Sequence, residues 1–127
     1  MKHLITSVLF IAFGMLSAQS NFKKGMDKAF ELLQSDKPDE AINLFERIAN
    51  AEKDNWLPHY YIAQINSMKS WNVKEETQLK AQLDKAQEHL NTAMALSKNN
   101  PELMVMQGQI YTNWIAFDGR TYGMKYS

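Results

Sequence analysis

Two histidines, His59 and His89, are the side chains in this sequence best suited to chemistry. They lie far apart in the chain, in segments predicted to be different helices, and no cysteine or paired-histidine spacing accompanies them. A metal site needs several ligands that converge on one ion. The sequence therefore predicts two half-exposed helical histidines and no metal site.

Sulfur and carboxylate groups show no reactive pattern either. Met104 and Met106 are two positions apart and should point to different sides of a helix, which favours packing over chelation of a soft metal. Acidic pairs such as Asp39-Glu40 lie at predicted helix starts, where the helix dipole favours them. The five glycines are scattered and form no phosphate-binding loop or serine nucleophile motif. We expect no catalytic residues, no cofactor and no enzymatic activity.

The composition indicates a single globular domain without a strongly charged surface. The chain has 127 residues, of which 45% are hydrophobic, with 14 basic and 14 acidic side chains. This balance lacks the excess of basic side chains that is typical of nucleic-acid-binding proteins, so no nucleic-acid partner is expected. There is no cysteine. Neither disulfides nor a cysteine-linked lipid anchor is therefore expected, and stability must come from packing.

The first residues have the pattern of an export signal. "MKHLITSVLFIAFGMLSAQS" begins with Lys2, continues with an apolar run over residues 4–16 and ends in small residues. The run is shorter than the roughly 20 residues that a membrane-spanning helix needs. We predict a signal peptide at 1–18, with Ser20 as the alternative cleavage site. The mature domain at 19–127 would be periplasmic or secreted and not inserted in the membrane; a buried N-terminal helix is the competing interpretation.

Hydrophobic side chains recur at helical spacing along the rest of the chain, and no segment alternates as a strand would. Five helices are predicted, the fifth from about Pro101 to Ala116 with Asn100 as its cap. The apolar faces consist of Met26, Ala29, Phe30 and Leu33 in the first, Ala41, Ile42, Phe45, Ile48 and Ala49 in the second, and Leu79, Leu83, Ala86, Leu90 and Ala93 in the fourth. The sequence therefore predicts an all-α fold.

Two of these helices form an internal repeat. The segments "DEAINLFERIANAEKDN" and "DKAQEHLNTAMALSKNN" align without a gap, Ala41 with Ala86 and Phe45 with Leu90. The order of small and large side chains is the same in both segments. Self-similarity of this kind indicates stacked helix pairs.

This order of small and large side chains resembles the tetratricopeptide repeat, in which G-x2-Y in one helix is followed by A-x3-F in the next, over about 34 residues. Ala41 and Phe45 match A-x3-F, and Gly108 and Tyr111 match G-x2-Y. The resemblance divides the domain into a repeat at 22–55, a repeat at 56–100 with an insertion around 69–79, and an incomplete repeat at 101–127. It implies a short α-solenoid of antiparallel helix pairs, similar to small exported bacterial proteins of this class.

The resemblance also implies roles for particular side chains. Small residues let two helices cross closely, and large ones fill the space beside the crossing. The helix-crossing set expected on this basis consists of Ala29, Ala41, Phe45, Ala63, Ala86, Leu90, Gly108 and Tyr111. In this family the first helices of successive repeats line a concave groove, which here would show Met26, Phe30, Tyr60, Gln64, Val105 and Gln109.

These groove residues are apolar or uncharged, unlike the Lys, Arg and Asn with which members of the family clamp a carboxylate. The resemblance therefore implies a non-enzymatic protein–protein interaction or scaffold module that favours an apolar or neutral peptide segment. One alternative is a small-ligand binder that uses the aromatic groove. Another is a groove filled by its own side chains.

No full-length helix is predicted after the fifth. Asp118-Gly119 is a turn signal, and only "RTYGMKYS" follows it. Large side chains of the fifth helix, such as Trp114, would then be left uncovered, which is costly for a small domain. We expect either that the chain continues past Ser127 or that the uncovered C-terminal helix self-associates with another copy.

Overall fold

The part of the chain that the computed structural model describes, residues 19–127, folds into helices joined by short turns. This part contains no strand, which confirms the predicted all-α class. The predicted signal peptide at 1–18 lies outside the described residues. None of the described helices combines the length and the apolarity needed to cross a membrane.

Six helices follow one another along the described residues. The first, α1, is helical over residues 19–34 of that range. The others are α2 (Pro38–Ala51), α3 (Leu57–Ser70), α4 (Glu76–Leu96), α5 (Pro101–Phe117) and α6 (Gly119–Tyr126). Helices that are neighbours in the chain pack together, and α3 also contacts α5.

The turns before α2 and α5 each contain a residue in the left-handed backbone conformation. Asp36 and Asn99 adopt left-handed φ angles of 58° and 56°, and each stands shortly before the proline that begins the next helix. Asp and Asn are the non-glycine residues that tolerate this conformation best. The side chain of Asn100 then accepts a hydrogen bond from the backbone N–H of Glu102 at 3.0 Å, which confirms the predicted cap.

The connection between α3 and α4 is shorter than predicted. The sequence placed an insertion around residues 69–79, but α3 continues to Ser70 and α4 begins at Glu76, so only residues 71–75 are non-helical. The additional residues lengthen α4 to 21 residues, against 14 in α2. Because the first turn of α4 is mostly polar and exposed, apolar periodicity could not locate its start.

Buried side chains form two hydrophobic cores that share α3. The N-terminal core, between α1, α2 and α3, consists of Met26, Ala29, Ala41, Ile42, Phe45, Ile48, Ile62 and Ile65. The C-terminal core, between α3, α4 and α5, consists of Ala63, Leu79, Leu83, Ala86, Leu90, Ala93, Leu103, Met106, Ile110 and Trp114. Ile62 and Ala63 serve different cores because successive positions on a helix point about 100° apart.

The short helix α6 covers the end of α5. Asp118 caps it by accepting hydrogen bonds from the backbone N–H groups of Arg120 and Thr121 at 3.0 and 3.2 Å. The ring of Tyr122 packs against Trp114 with centroids 4.8 Å apart, and Trp114 is buried. The prediction that Trp114 is left uncovered is therefore wrong, although α6, with 8 residues, is not the full-length partner helix whose absence was predicted. Contact with Trp114 stabilises a helix that would be too short to persist in isolation.

Candidate functional site

A groove between α3 and α5 brings together most of the predicted partner-binding residues. It contains a cavity of about 240 Å³ whose lining consists of Tyr60, Gln64, Ser67, Met68 and Trp71 from α3 and its C-terminal cap, and Val105, Met106 and Gln109 from α5. Four of the six predicted groove residues, Tyr60, Gln64, Val105 and Gln109, are in this lining. We call the cavity and its rim the α3–α5 groove.

The spacing of these residues explains how two helices build the groove. Tyr60 and Gln64 are four positions apart on α3, and Val105 and Gln109 are four positions apart on α5. Residues at i and i+4 lie on the same face of a helix. Because α3 and α5 are in contact, the two faces become the two walls of one groove.

Large apolar side chains stand exposed along this groove. Val105 is 74% exposed, Met68 63% and Trp71 53%, whereas Met106 in the same lining is buried. Clustered apolar side chains of this kind are typical of interaction sites, because water hydrates them poorly. The groove is therefore a surface on which burial by a partner is favourable.

The groove extends beyond the first cavity. A neighbouring cavity of about 320 Å³ also has Trp71 in its lining, together with Val73 and the charged Lys74 from the α3–α4 connection and Phe117 from the end of α5. The two cavities follow one another along α3, with Trp71 between them. An elongated ligand can therefore follow the groove, whereas a compact one would occupy a single cavity.

The polar groups of the first cavity are uncharged. Gln64 and Gln109 carry amides that both donate and accept hydrogen bonds. Burial, followed by the negative charge of Glu102, raises the pKa of Tyr60 above its ordinary value. No Asp, Glu, Lys or Arg is in this lining. Recognition here therefore depends on shape and on neutral hydrogen bonds.

A buried polar network ties α3 to α5 beside the groove. Asn113 Nδ2 donates to the carbonyl and hydroxyl oxygens of Ser67 at 2.9 and 2.6 Å, and lies 2.9 Å from Ser70 Oγ. Ser70 Oγ donates in turn to the Ser67 carbonyl at 2.6 Å. Sequence analysis did not identify this network, because Ser and Asn usually lie on the surface. The spacing of Ser67 and Ser70 on one face of α3 was the available signal.

Met26 and Phe30, the other two predicted groove residues, do not line the groove. Met26 is buried in the N-terminal core. The ring of Phe30 packs edge-on against those of Tyr61 and Phe45, with centroids 4.8 and 5.6 Å away. The prediction is corrected for both residues, because the packing of α1 on α2 and α3 occupies their side chains.

The four alanines of the helix-crossing set are fully buried. Ala29 and Ala41 belong to the N-terminal core together with Phe45, and Ala63 and Ala86 belong to the C-terminal core together with Leu90. Each core thus combines small residues from two facing helices with a large one. This is the arrangement that a close helix crossing needs.

Gly108 and Tyr111, the last two members of that set, do not lie at such a crossing. A Cβ atom added to Gly108 would have no neighbour within 4 Å. Tyr111 is exposed and stacks on Tyr126 of α6 with ring centroids 4.9 Å apart. The prediction is corrected because the helix that follows α5 has only 8 residues and contacts Tyr111 through a ring of its own, not through a close helix crossing at Gly108.

His59 and His89 lie side by side, a contact that the sequence did not predict. The packing of α3 along α4 brings their Nδ1 atoms to 3.0 Å, with ring centroids 5.3 Å apart and ring planes inclined by 31°. In a neutral pair one ring donates Nδ1–H and the other accepts at Nδ1. Sequence reasoning missed this contact because residues on two different helices share no spacing rule.

Burial and neighbouring charges shift the pKa values of these two histidines. Burial lowers the pKa of His59, and burial together with the neighbouring His59 ring lowers the pKa of His89. Glu46 and Glu88 oppose the shift of His89, and Lys85 adds to it. Glu46 Oε1 lies 4.0 Å from Nε2 of His89 and 3.3 Å from Nζ of Lys85.

The described residues offer no cluster of metal ligands. Within 19–127, no group of three or more His, Cys, Asp or Glu side chains is arranged to hold an ion. Met104 is exposed and Met106 is buried, so the two sulfur-bearing side chains point to different sides of α5, as predicted from their spacing.

Another cavity, of about 620 Å³, lies on the other side of α3, between α2 and α4. Its polar lining residues are largely bonded to one another or to nearby side chains. Lys69 pairs with Asp39, and Gln82 donates to Asn66. The α3–α5 groove, with its exposed apolar rim, is the better candidate for recognition.

Comparison of the chain with models of protein families, with curated proteins and with solved structures found no match.

Proposed function

We propose that the protein is a non-enzymatic interaction module that binds a neutral, apolar peptide segment in the α3–α5 groove. The observation that carries this proposal is the single cavity formed by the four predicted side chains of α3 and α5 beside the exposed Met68 and Trp71. Trp and Tyr are the side chains that most often dominate binding energy at interfaces. Methionine adapts its shape to different apolar partners.

The division of the groove into two successive cavities favours an elongated peptide over a compact small molecule. The first cavity has a volume of about 240 Å³. Pockets for drug-sized ligands usually measure roughly 300–1,000 Å³. A single apolar side chain fits the smaller volume, and the neighbouring cavity past Trp71 can take a second one. Within the first cavity, the amides of Gln64 and Gln109 can bond the peptide backbone.

The resemblance to tetratricopeptide repeats supports the same surface. In that family the first helices of successive repeats line the groove, and α3 and α5 are the first helices of the second and third repeats in the proposed division. Their contact, and the contact of α3 with both α2 and α4, is compatible with stacked helix pairs. The proposal includes a location outside the cytoplasm, which rests on the signal pattern of residues 1–18 alone.

A peptide-display selection tests the proposal. The full chain is immobilised, binding peptides are selected from a random library, and their dissociation constants are measured by fluorescence anisotropy. We expect peptides with apolar side chains and no net charge. Val105→Glu and Met68→Glu, which put a charge into the groove, should weaken binding at least about tenfold, which corresponds to roughly 1.4 kcal/mol.

The matched control is Met124→Glu on α6, where the methionine is 94% exposed and lies away from the groove lining. Its binding should equal that of the unmodified chain. Equal binding by all three variants would contradict the proposed site. A small molecule that co-purifies in native mass spectrometry and is lost in Val105→Glu would favour the small-ligand alternative. Sedimentation of the same samples would show whether self-association competes for this surface.

A further inference from the structure

The contact between His59 and His89 lies outside the α3–α5 groove and has the geometry of a hydrogen bond between two rings. The Nδ1 atoms are 3.0 Å apart and the ring centroids 5.3 Å apart. This centroid separation is reached when both nitrogens lie close to the line that joins the rings, so that each nitrogen points at the other. A metal ion held by both rings would instead require the two lone pairs to converge on a third point, about 2.0–2.1 Å from each nitrogen.

The number of protons on the pair decides whether this bond exists. In the neutral pair, one ring carries its proton on Nδ1 and the other on Nε2, and one N–H···N bond forms. One added proton goes to Nε2 of the donor ring, which leaves the bond intact and makes it charge-assisted. A second added proton must go to the accepting Nδ1. Two N–H donors then face each other at hydrogen-bond distance, and the two charged rings repel.

We propose that the His59–His89 pair is an acid-sensitive link between α3 and α4, intact while the pair holds at most one added proton and broken when both rings are charged. The link joins two helices with an extensive mutual interface, and α3 takes part in both hydrophobic cores. Repulsion at this point therefore acts on the helix at the centre of the fold. The inference does not depend on what the groove binds.

The charged groups around the pair do not remove this repulsion. Glu46 of α2 faces Nε2 of His89, and Lys85 of α4 shares the same carboxylate oxygen. The negative charge of Glu88 of α4 opposes the lowering of the pKa of His89. Glu46 and Glu88 stabilise a first positive charge on His89, whereas Lys85 opposes it. The partner that α3 supplies is His59 itself, so a second charge on the pair meets the first one directly.

The direction of the pH effect follows from the lowered pKa values of both histidines. An unfolded histidine titrates near about 6.5. As the pH falls through this value, the unfolded chain binds protons that the folded chain does not, and the folded state loses stability. Carboxylates titrate mainly near about 4. A loss of stability between about pH 7.5 and pH 5 therefore reports on histidines.

Urea denaturation of the full chain, combined with NMR, tests the proposal. His59→Asn and His89→Asn keep a neutral hydrogen-bonding group near the position of Nδ1 but remove one titrating ring. We expect the urea midpoint of the unmodified chain to fall between about pH 7.5 and pH 5, and each variant to halve this fall or reduce it further. His3 is unchanged in both variants and serves as the internal control.

NMR titration of the unmodified chain keeps the test decisive if a variant does not fold. The carbon-bound ring protons of His59 and His89 should report two protonation steps separated by at least about one pH unit, the behaviour of a coupled pair. In either variant the remaining ring should titrate at a higher pH than the second protonation step of the pair, because it no longer faces a charged ring. Independent titration of both rings near about pH 6.5 would overturn the proposal. Stabilisation by equimolar Zn²⁺ that both variants abolish would also overturn it, in favour of a metal site.

Discussion

The two hydrophobic cores use different chemistry on the two sides of α3. The N-terminal core is centred on Phe45, whose ring stacks on Tyr61 at 5.5 Å and meets the edge of Phe30. The C-terminal core has leucines of α4 facing α3 and α5, and its buried aromatic ring, Trp114, packs against Tyr122 of α6. The polar network of Ser67, Ser70 and Asn113 joins its helices beside the aliphatic side chains.

This difference explains why the groove lies on one side of the molecule. Aromatic rings of α1, α2 and α3 pack against one another, and Phe30 is occupied by these contacts. Between α3 and α5 the hydrogen bonds of Asn113 fix the helices, while Met68, Trp71 and Val105 remain exposed. Helices held together by a local polar network can leave neighbouring apolar side chains free for a partner.

The largest effect should come from the centre of the N-terminal core. Phe45→Ala removes a fully buried ring together with its contacts to Phe30 and Tyr61. We expect the free energy of unfolding to fall by about 3–5 kcal/mol, measured by urea denaturation followed by circular dichroism. Because α3 serves both cores, the loss should appear as one cooperative transition.

Met124→Ala on α6, where the side chain is almost fully exposed, is the control and should stay within about 0.5 kcal/mol of the unmodified chain. Two separate transitions in Phe45→Ala, with only the first one shifted, would show that the two cores unfold independently.

A smaller effect is expected from the polar network beside the C-terminal core. Asn113→Ala removes the amide that donates to the buried hydroxyl oxygens of Ser67 and Ser70, while Ser70 keeps its bond to the Ser67 carbonyl. Leaving buried polar groups unpaired costs about 1–3 kcal/mol. Asn91→Ala on the exposed face of α4, which loses a surface hydrogen bond from Gln87, is the control and should cost less than about 0.5 kcal/mol.

The double variant Asn113→Ala with Ser70→Ala tests whether these two side chains act on stability through one shared hydrogen bond. Because both partners of one hydrogen bond are then absent, its cost should be less than the sum of the two single costs. Strict additivity in urea denaturation would mean that the network does not hold α3 to α5.

The smallest effect concerns the end of the C-terminal core, where Tyr122 of α6 donates a hydrogen bond to Glu76 of α4. This bond, followed by burial, raises the pKa of Tyr122 to about 12. The folded value exceeds the ordinary one of about 10. The contribution of this bond to stability is therefore fully present below about pH 10 and is lost as the pH rises through about 12.

The ultraviolet absorbance of phenolate should show this shift. In the unmodified chain Tyr122 should ionise later than ordinary tyrosines, and Glu76→Gln should move its ionisation to lower pH. Glu75→Gln, the neighbouring carboxylate, should leave the titration curve unchanged. If Glu76→Gln also leaves it unchanged, α6 is not tied to α4 through this bond.

Local features of the sequence were enough to predict the helices and several of their contacts. Apolar side chains at helical spacing predicted α2 and α5 nearly to their ends, and the cap at Asn100 was predicted from its position before Pro101. The four alanines that are fully buried in the cores were recognised from their phase within the repeat. The groove residues of α3 and α5 were also selected by phase, since i and i+4 positions share one face wherever a helix packs.

Only the tertiary structure decided which of these faces meet and what remains open. Helix α6 exists because Trp114 and Glu76 offer contacts to it, and eight residues alone do not pay the cost of helix nucleation. The approach of His59 to His89 and the network around Asn113 also depend on how helices are placed relative to one another. Sequence periodicity specifies the direction of a side chain around its own helix axis. The neighbour that this side chain meets is set by the crossing of two helices, which no local pattern contains.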